Sequence, residues 1–265
     1  MSTVATDGRP GDRHDECRIR IAAAGDIHYG EREGDHERAA AAFSALAGKV
    51  DLVLLAGDLT TLGERAQAEA LARICEPMET PIFAVLGNHD WHSGCREALV
   101  DVVEDAGVRV LDPGCATRCV NGVEVGIVGA KGFVGGFPGS HLPDFGEPSL
   151  RHVYAETGDE VEALDDGLRA VAACPFRIVL LHYAPTIDTL RGEPEAIWAF
   201  LGSDRLAAPI IEHRPDLVLH GHAHAGSFEG ELAGVPVFNV SVPVIGRDFW
   251  VFELSGAARH PAEIH

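Results

Sequence analysis

Short apolar runs alternate with amphipathic segments through the first part of the chain. The apolar runs lie at residues 18–24, 51–56 and 81–86 and are rich in Val, Ile, Leu and Ala. Segments 35–49, 64–76 and 96–106 instead place apolar residues at helical spacing. Continuous apolar runs are typical of strands that are covered on both faces. The alternation therefore predicts a layered α/β fold with right-handed crossovers.

The rest of the chain is less regular. It predicts strands at 108–111, 123–128, 177–181 and 216–219, helices at 159–173 and 204–213, and antiparallel hairpins over 227–254. Residues 131–148 are rich in Gly and Pro and predict an irregular loop, which is a candidate lid or specificity loop. We expect its Phe133, Phe137 and Phe145 either to stack on an aromatic group of a ligand or to anchor the loop to the core.

No internal repeat or linker divides the sequence. We therefore expect one domain over residues 17–256, a length that can bury a full core without disulfides. Residues 1–16 are polar and without periodicity, and they predict a disordered lead-in. Residues 257–265 are expected to form a short tail.

The charge balance limits the partners of the chain. Its 21 Lys and Arg stand against 41 Asp and Glu, a formal net charge of −20, which disfavours long nucleic acids and anionic membranes as partners. No apolar stretch reaches the ~20 residues that span a membrane, and residues 1–16 lack the apolar run of a signal peptide. We therefore expect a cytoplasmic protein whose six cysteines are free thiols.

Polar residues of metal-binding types follow the predicted strands. The segments are Gly25-Asp26-Ile27-His28, Gly57-Asp58, Gly87-Asn88-His89-Asp90, His182 and Gly221-His222-Ala223-His224. Because ligands of open α/β sheets collect at the carboxyl ends of strands, we expect these side chains to converge on one crevice. Each segment alone also has a structural interpretation: an aspartate can cap a helix, a histidine can be a hydrogen-bonded core residue, and an asparagine can form a turn. Five such segments together favour a metal centre.

In this order and spacing, the five segments resemble the motifs of the calcineurin-like metallophosphoesterases over residues 26 to 224. The resemblance implies a four-layer α-β-β-α sandwich of two mixed sheets flanked by helices. It also implies two metal ions. The first would be bound by Asp26, His28 and His224, the second by Asn88, His182 and His222, and Asp58 would bridge them. Mixed nitrogen and oxygen ligation suits Mn, Fe, Zn or Co better than Mg or Ca.

The expected reaction follows from charge. Two divalent ions bring four positive charges and the two aspartates return two negative ones, so the site is positive within an acidic protein. Two ions roughly 3.5–4 Å apart can share a bridging hydroxide, and we expect this hydroxide to attack a phosphate ester at neutral pH. The family implies that His89 protonates or stabilises the leaving oxygen. Asp90 is expected to orient the imidazole of His89, as carboxylates near metal sites commonly do.

Differences from the motifs of related families narrow the range of expected substrates. Gly57-Asp58 is followed by Leu59-Thr60-Thr61, so the arginine of the phosphoprotein phosphatases is missing there. Thr61 also stands where purple acid phosphatases need a tyrosine ligand. The segments Gly87-Asn88-His89-Asp90 and Gly221-His222-Ala223-His224 resemble those of the bacterial cyclic-nucleotide-type phosphodiesterases. We therefore expect hydrolysis of a small phosphodiester. The alternatives are a phosphomonoesterase, a nuclease, or a non-catalytic scaffold with the same fold.

Overall fold

The computed structural model describes residues 17–30 and 34–256. The predicted lead-in 1–16 and tail 257–265 lie outside the described residues. The strands are β1 (Cys17–Ala24), β2 (Leu52–Ala56), β3 (Ile82–Val85), β4 (Val108–Val110), β5 (Gly114–Val120), β6 (Val123–Ala130), β7 (Gly136–Phe137), β8 (Ser140–His141), β9 (Phe176–Leu181), β10 (Leu217–His220), β11 (Glu229–Leu232), β12 (Val235–Asn239) and β13 (Trp250–Gly256). The α-helices are α1 (Asp35–Ser44), α2 (Arg65–Cys75), α3 (Arg96–Asp105), α4 (Pro148–Ala170), α5 (Trp198–Leu201), α6 (Ala207–His213) and α7 (Val242–Ile245).

Two large sheets pack face to face. The first has the strand order β13-β1-β2-β3-β4 and the second β11-β12-β10-β9-β6-β5. Strands β1 to β4 are parallel, as are β6, β9, β10 and β12. The edge strand β13 of the first sheet and both edge strands of the second, β11 and β5, are antiparallel to their neighbours. One apolar cluster fills the space between the sheets and includes Ile21 and Leu54 from the first sheet and Ile178 and Leu219 from the second.

Helices cover the outer faces of both sheets. Successive strand residues point to opposite faces, so Leu54 in β2 faces the central core while Leu55 faces α1, α2 and α3. This double burial explains why β2 is apolar at every position. On the other side, α4 and α6 pack against the second sheet through residues such as Leu164 and Ile210. The four-layer α-β-β-α sandwich is thereby confirmed.

Two sequence predictions of element boundaries are wrong. Helix α4 begins at Pro148 rather than at residue 159, with a proline in its first turn, where the missing N–H costs nothing. The segment 227–254 is not a run of hairpins. Within it, only β11 and β12 form an antiparallel hairpin. On its other side β12 pairs in parallel with β10, and β13 lies in the first sheet, where it pairs with β1.

The segment 131–148 is more ordered than its composition suggests. It contains the β7–β8 hairpin and ends where α4 begins. The backbone N–H groups of Gly135 and Gly136 donate to the carbonyls of Ala199 and Gly202 at 3.1 and 2.9 Å. Phe137 is 1% exposed, so it anchors the segment and cannot stack on a ligand, whereas Phe145 is exposed. The role of the segment as a lid or specificity loop stays a prediction.

Two further features follow from the described part of the chain. None of its helices combines the length and the hydropathy needed to cross a membrane. Among the cysteines whose side chains are described, Cys75, Cys95, Cys115, Cys119 and Cys174 are all free.

Candidate metal centre

The five polar segments lie at the carboxyl ends of parallel strands in both sheets. Asp26 follows β1, Asp58 follows β2 and Asn88 follows β3, while the histidine segments follow β9 and β10. Hydrogen bonds join the two sheet edges here: the Gly25 N–H donates to the Val240 carbonyl at 2.8 Å. The predicted convergence on one crevice is thus present.

A first group consists of Asp26, His28 and His224, whose potential ligand atoms all lie within 4.8 Å of one another. His224 Nε2 is 3.0 Å from Asp26 Oδ1. The other oxygen of Asp26 accepts a hydrogen bond from the backbone N–H of His222 at 2.9 Å. Both contacts hold the Asp26 carboxylate against the Gly221–His224 segment.

A second group consists of Asp58, His182 and His222, again with potential ligand atoms within 4.8 Å of one another. Asn88 joins this group, because its Oδ1 is 2.9 Å from His182 Nε2. His182 is fully buried. These residues follow strands of both sheets, so the group exists only when the sheets are packed together.

Asp58 lies between the two groups and presents one oxygen to each. Its Oδ2 is 3.8 Å from His28 Nε2 and 4.0 Å from His89 Nε2. Its Oδ1 is 3.5 Å from His182 Nε2. The side chain is 1% exposed, and the His89 backbone N–H donates to Oδ1 at 2.8 Å. A buried carboxylate in this position can contact two cations at once.

Backbone carbonyls fix the orientation of three imidazoles. His182 Nδ1 is 3.0 Å from the Ala56 carbonyl, and His222 Nε2 is 3.2 Å from the Phe200 carbonyl. His89 Nδ1 is 2.7 Å from the carbonyl of Thr61. A carbonyl oxygen only accepts, so each of these nitrogens carries the proton. The other ring nitrogen then faces the centre, where it can contact a cation or a substrate.

The backbone at the centre is strained. Asp26, His28, Asp58 and His222 have positive φ angles of 57°, 43°, 48° and 70°. Such conformations of residues other than glycine cost about 1–3 kcal/mol each and cluster at functional sites. Gly87 must be a glycine for a different reason: a Cβ there would collide with the backbone and carboxylate of Asp58.

Comparisons with known proteins agree with this geometry. The family model described as calcineurin-like phosphoesterase matches residues 19–226. The chain belongs to the calcineurin-like phosphoesterase family. This family uses a dinuclear metal site and indicates a hydrolase that acts on phosphoesters. No curated protein sequence matches the chain.

Solved structures share the calcineurin-like fold. The phosphopantetheinyl hydrolase of Mycobacterium tuberculosis has a TM-score of 0.62 at 17% identity, over 84% of this chain and 88% of that chain. The protein TT1561 of Thermus thermophilus has a TM-score of 0.56 at 21% identity, over 92% and 100%. GAP50, the anchor in the inner membrane complex of Plasmodium, has a TM-score of 0.58 at 15% identity, over 90% and 82%. At these identities the likeness shows the fold alone.

The electrostatics of the carboxylates fit a cationic occupant. Burial raises the pKa of Asp58 to about 6, because the charge of His182 offsets the loss of solvent only in part. Burial would also raise the pKa of Asp26, but the hydrogen bond from His224 and the neighbouring His182 lower it to about 2. Burial lowers the pKa of His222 to about 3, which keeps its imidazole neutral. The neutral imidazole of His222 and the buried, undercompensated carboxylate of Asp58 are suitable donors for a metal ion.

The predicted role of Asp90 is wrong. Its carboxylate accepts hydrogen bonds from the backbone N–H groups of Leu59, Thr60 and Gly87 at 2.9–3.0 Å and from the Thr60 hydroxyl at 2.8 Å. His89 is oriented instead by the carbonyl of Thr61. Asp90 is fully buried and joins the turn after β2 to the turn after β3. It supports the positions of Asp58 and Asn88 and does not touch the imidazole.

Two residues near the centre were missed in the sequence. Arg38 lines the same cleft as Asp26, His28 and His224, although it lies on a helix outside every motif. Phe200, whose carbonyl contacts His222, is 57% exposed. Neither residue has a sequence signal, because only the tertiary structure brings α1 and α5 to the strand ends.

Proposed function

We propose that the two residue groups bind two transition-metal ions. Asp26, His28 and His224 would hold the first ion and Asn88, His182 and His222 the second, with Asp58 bridging. The observation that carries this proposal is the division of the Asp58 oxygens, of which Oδ2 faces His28 and Oδ1 faces His182. Bound ions would supply Lewis acidity and an activated water at neutral pH. The mixed nitrogen and oxygen donors favour Mn, Fe or Zn.

His89 is proposed to assist the leaving group. Its Nδ1 donates to the Thr61 carbonyl, and its Nε2 faces the centre at 4.0 Å from Asp58 Oδ2. The side chain is 42% exposed, so a substrate can reach it from solvent. A protonated Nε2 would donate its proton to the oxygen that departs from phosphorus.

We further propose that the substrate is a small phosphodiester. The turn after Asp58 offers no arginine, and its two threonines are already engaged: the Thr60 hydroxyl donates to Asp90, and the Thr61 hydroxyl donates to the His28 carbonyl at 2.9 Å. A phosphomonoester would bring a second negative charge that no residue of this turn balances. A diester brings one negative charge and loses less from that absence.

A substrate panel tests the proposed activity. With Mn bound, kcat/KM for bis-p-nitrophenyl phosphate should exceed that for p-nitrophenyl phosphate. Asp101 lies on the exposed face of α3, and Asp101→Ala should leave both rates unchanged. Preference for the monoester would favour a phosphatase. No hydrolysis of any ester by protein that binds metal would favour a scaffold.

A further inference from the structure

A cleft of about 400 Å³ opens beside the candidate metal centre. One wall is formed by Asp26, His28, His89 and His224. Arg38 from α1 and Val242 and Pro243 from α7 also line the cleft. This volume lies in the range of small-molecule sites and exceeds what a phosphate group alone requires. The part of the cleft near Arg38 therefore has room for the remainder of a substrate.

Arg38 is the one lysine or arginine among the described residues that line this cleft. Its Nη2 is 3.5 Å from Asp35 Oδ1 and its Nε is 4.0 Å from Asp248 Oδ1. Both contacts are too long for good hydrogen bonds, and the side chain is 43% exposed. Asp248 is exposed, and the buried Asp35 keeps its hydrogen bond from the Gly30 N–H at 3.1 Å, so the guanidinium can turn toward a ligand at small cost.

A guanidinium in this position selects for a particular chemistry. Its planar set of donors matches the oxygens of a carboxylate or phosphate. The chain as a whole carries a formal net charge of −20, so a positive group in a cleft is a local exception that an anionic ligand can use. The phosphate to be cleaved belongs beside the candidate ligands Asp26, His28 and His224, whereas Arg38 reaches the cleft from α1, which carries none of the candidate ligands.

We propose that Arg38 binds a second anionic group of the substrate, one that is not cleaved. The substrate is then a phosphoester that carries a carboxylate or a further phosphate beyond the reacting phosphorus. This assignment rests on the proposed function, because it assumes that the substrate is a phosphoester cleaved at the Asp58 centre. The binding of the second anion can be measured without turnover.

Two matched esters test the assignment. Propyl p-nitrophenyl phosphate and 2-carboxyethyl p-nitrophenyl phosphate share a leaving group and differ in a terminal methyl or carboxylate. The ratio of kcat/KM for the carboxyethyl ester to that for the propyl ester should fall about tenfold in Arg38→Ala, the worth of one charge-assisted hydrogen bond. In Arg38→Lys this ratio should fall less, because lysine keeps the positive charge and loses only the planar set of donors. Arg65→Ala is the control, since Arg65 is exposed on α2 and pairs with Glu69.

Binding of unreactive probes separates this inference from the hydrolase proposal. With Mn bound, 3-phosphonopropionate should bind more tightly than propylphosphonate by calorimetry, and Arg38→Ala should remove about tenfold of that difference. A protein that shows this binding but cleaves neither ester would retain the role of Arg38 and refute the hydrolase. An unchanged ratio in Arg38→Ala, in both rates and binding, would overturn the role of Arg38, whether or not the esters are cleaved.

Discussion

Asp58 and His89 are linked by a hydrogen bond but differ in their surroundings. The backbone N–H of His89 donates to Asp58 Oδ1 at 2.8 Å, yet Asp58 is 1% exposed and the His89 side chain is 42% exposed. A buried carboxylate without enough compensating charge is costly, which suits a residue that holds cations. An exposed imidazole whose inner nitrogen is already bonded suits a residue that meets substrate. At this scale the two residues are expected to have separable roles.

His89→Ala tests that separation. The variant should keep both metal ions and lower kcat by about 10²–10⁴, the usual contribution of a general acid. The loss should be smaller for a p-nitrophenyl ester, whose leaving group needs little protonation. His92→Ala is the matched control, because His92 is exposed three residues further along. If the His89 variant loses metal instead, His89 is a ligand and its assignment to the leaving group is incorrect.

At the scale of elements, the position of Asp58 depends on close packing between the turn after β2 and the turn after β3. The turn after β3 contacts the turn after β2 at Gly87, where a Cβ would collide with Asp58. Gly87→Ala should therefore displace Asp58 and reduce the bound metal, measured by mass spectrometry of the desalted protein. Gly114→Ala is the control, since a Cβ there meets Leu111 only at ordinary contact distance. Normal metal content in Gly87→Ala would show that the turns are more tolerant than this packing implies.

Helix α4 is joined to the segment 131–148 by a buried ion pair. Lys131, 4% exposed, has its Nζ 3.7 Å from Glu160 Oε1, and Glu160 Oε2 accepts from the Gly132 N–H at 2.9 Å. Burial raises the pKa of Glu160 from 4.5 to about 7, although Lys131 acts to lower it. The folded chain thus holds a proton that the unfolded chain releases in this range. The stability that this proton contributes is present below pH 4.5 and is lost as the pH rises through about 7.

Glu160→Gln tests this dependence on pH. Glutamine mimics the protonated acid, so the free energy of unfolding of the variant relative to the original chain should rise between pH 4.5 and 7. The shift corresponds to about 3 kcal/mol across that window, at about 1.4 kcal/mol per pH unit. Glu162→Gln, on the exposed face of the same helix, should show no such trend. A flat difference for Glu160→Gln in urea unfolding would contradict the raised pKa.

The sequence predicts those elements whose signal is local. The parallel strands β1, β2 and β3 are short apolar runs between amphipathic helices, so their type and order are evident before the structure is known. The crossing of β13 to the first sheet is not, because its partner β1 is more than 200 residues away in the chain. Motif spacing likewise locates Asp26, Asp58 and His182 but not the carbonyl of Thr61 or the guanidinium of Arg38, which approach the centre only through tertiary packing.

For the whole molecule, the central feature is that the candidate centre spans both sheets. Asp26 and Asp58 follow strands of the first sheet, and His182 and His222 follow strands of the second. The apolar core between the sheets therefore sets their separation. The chain has a formal net charge of −20, and cations bound at the centre would offset part of the repulsion among its acidic groups. A cytoplasmic location remains a prediction.

The metal content of the chain tests the two-ion centre most directly. After loading with Mn and desalting, the original chain should retain two ions, counted by mass spectrometry. Asp58→Ala should lose one or both, because Asp58 alone among the proposed ligands faces both residue groups. Asp101→Ala should retain two. Two ions and full activity in Asp58→Ala, or no bound metal in the original chain, would contradict the account.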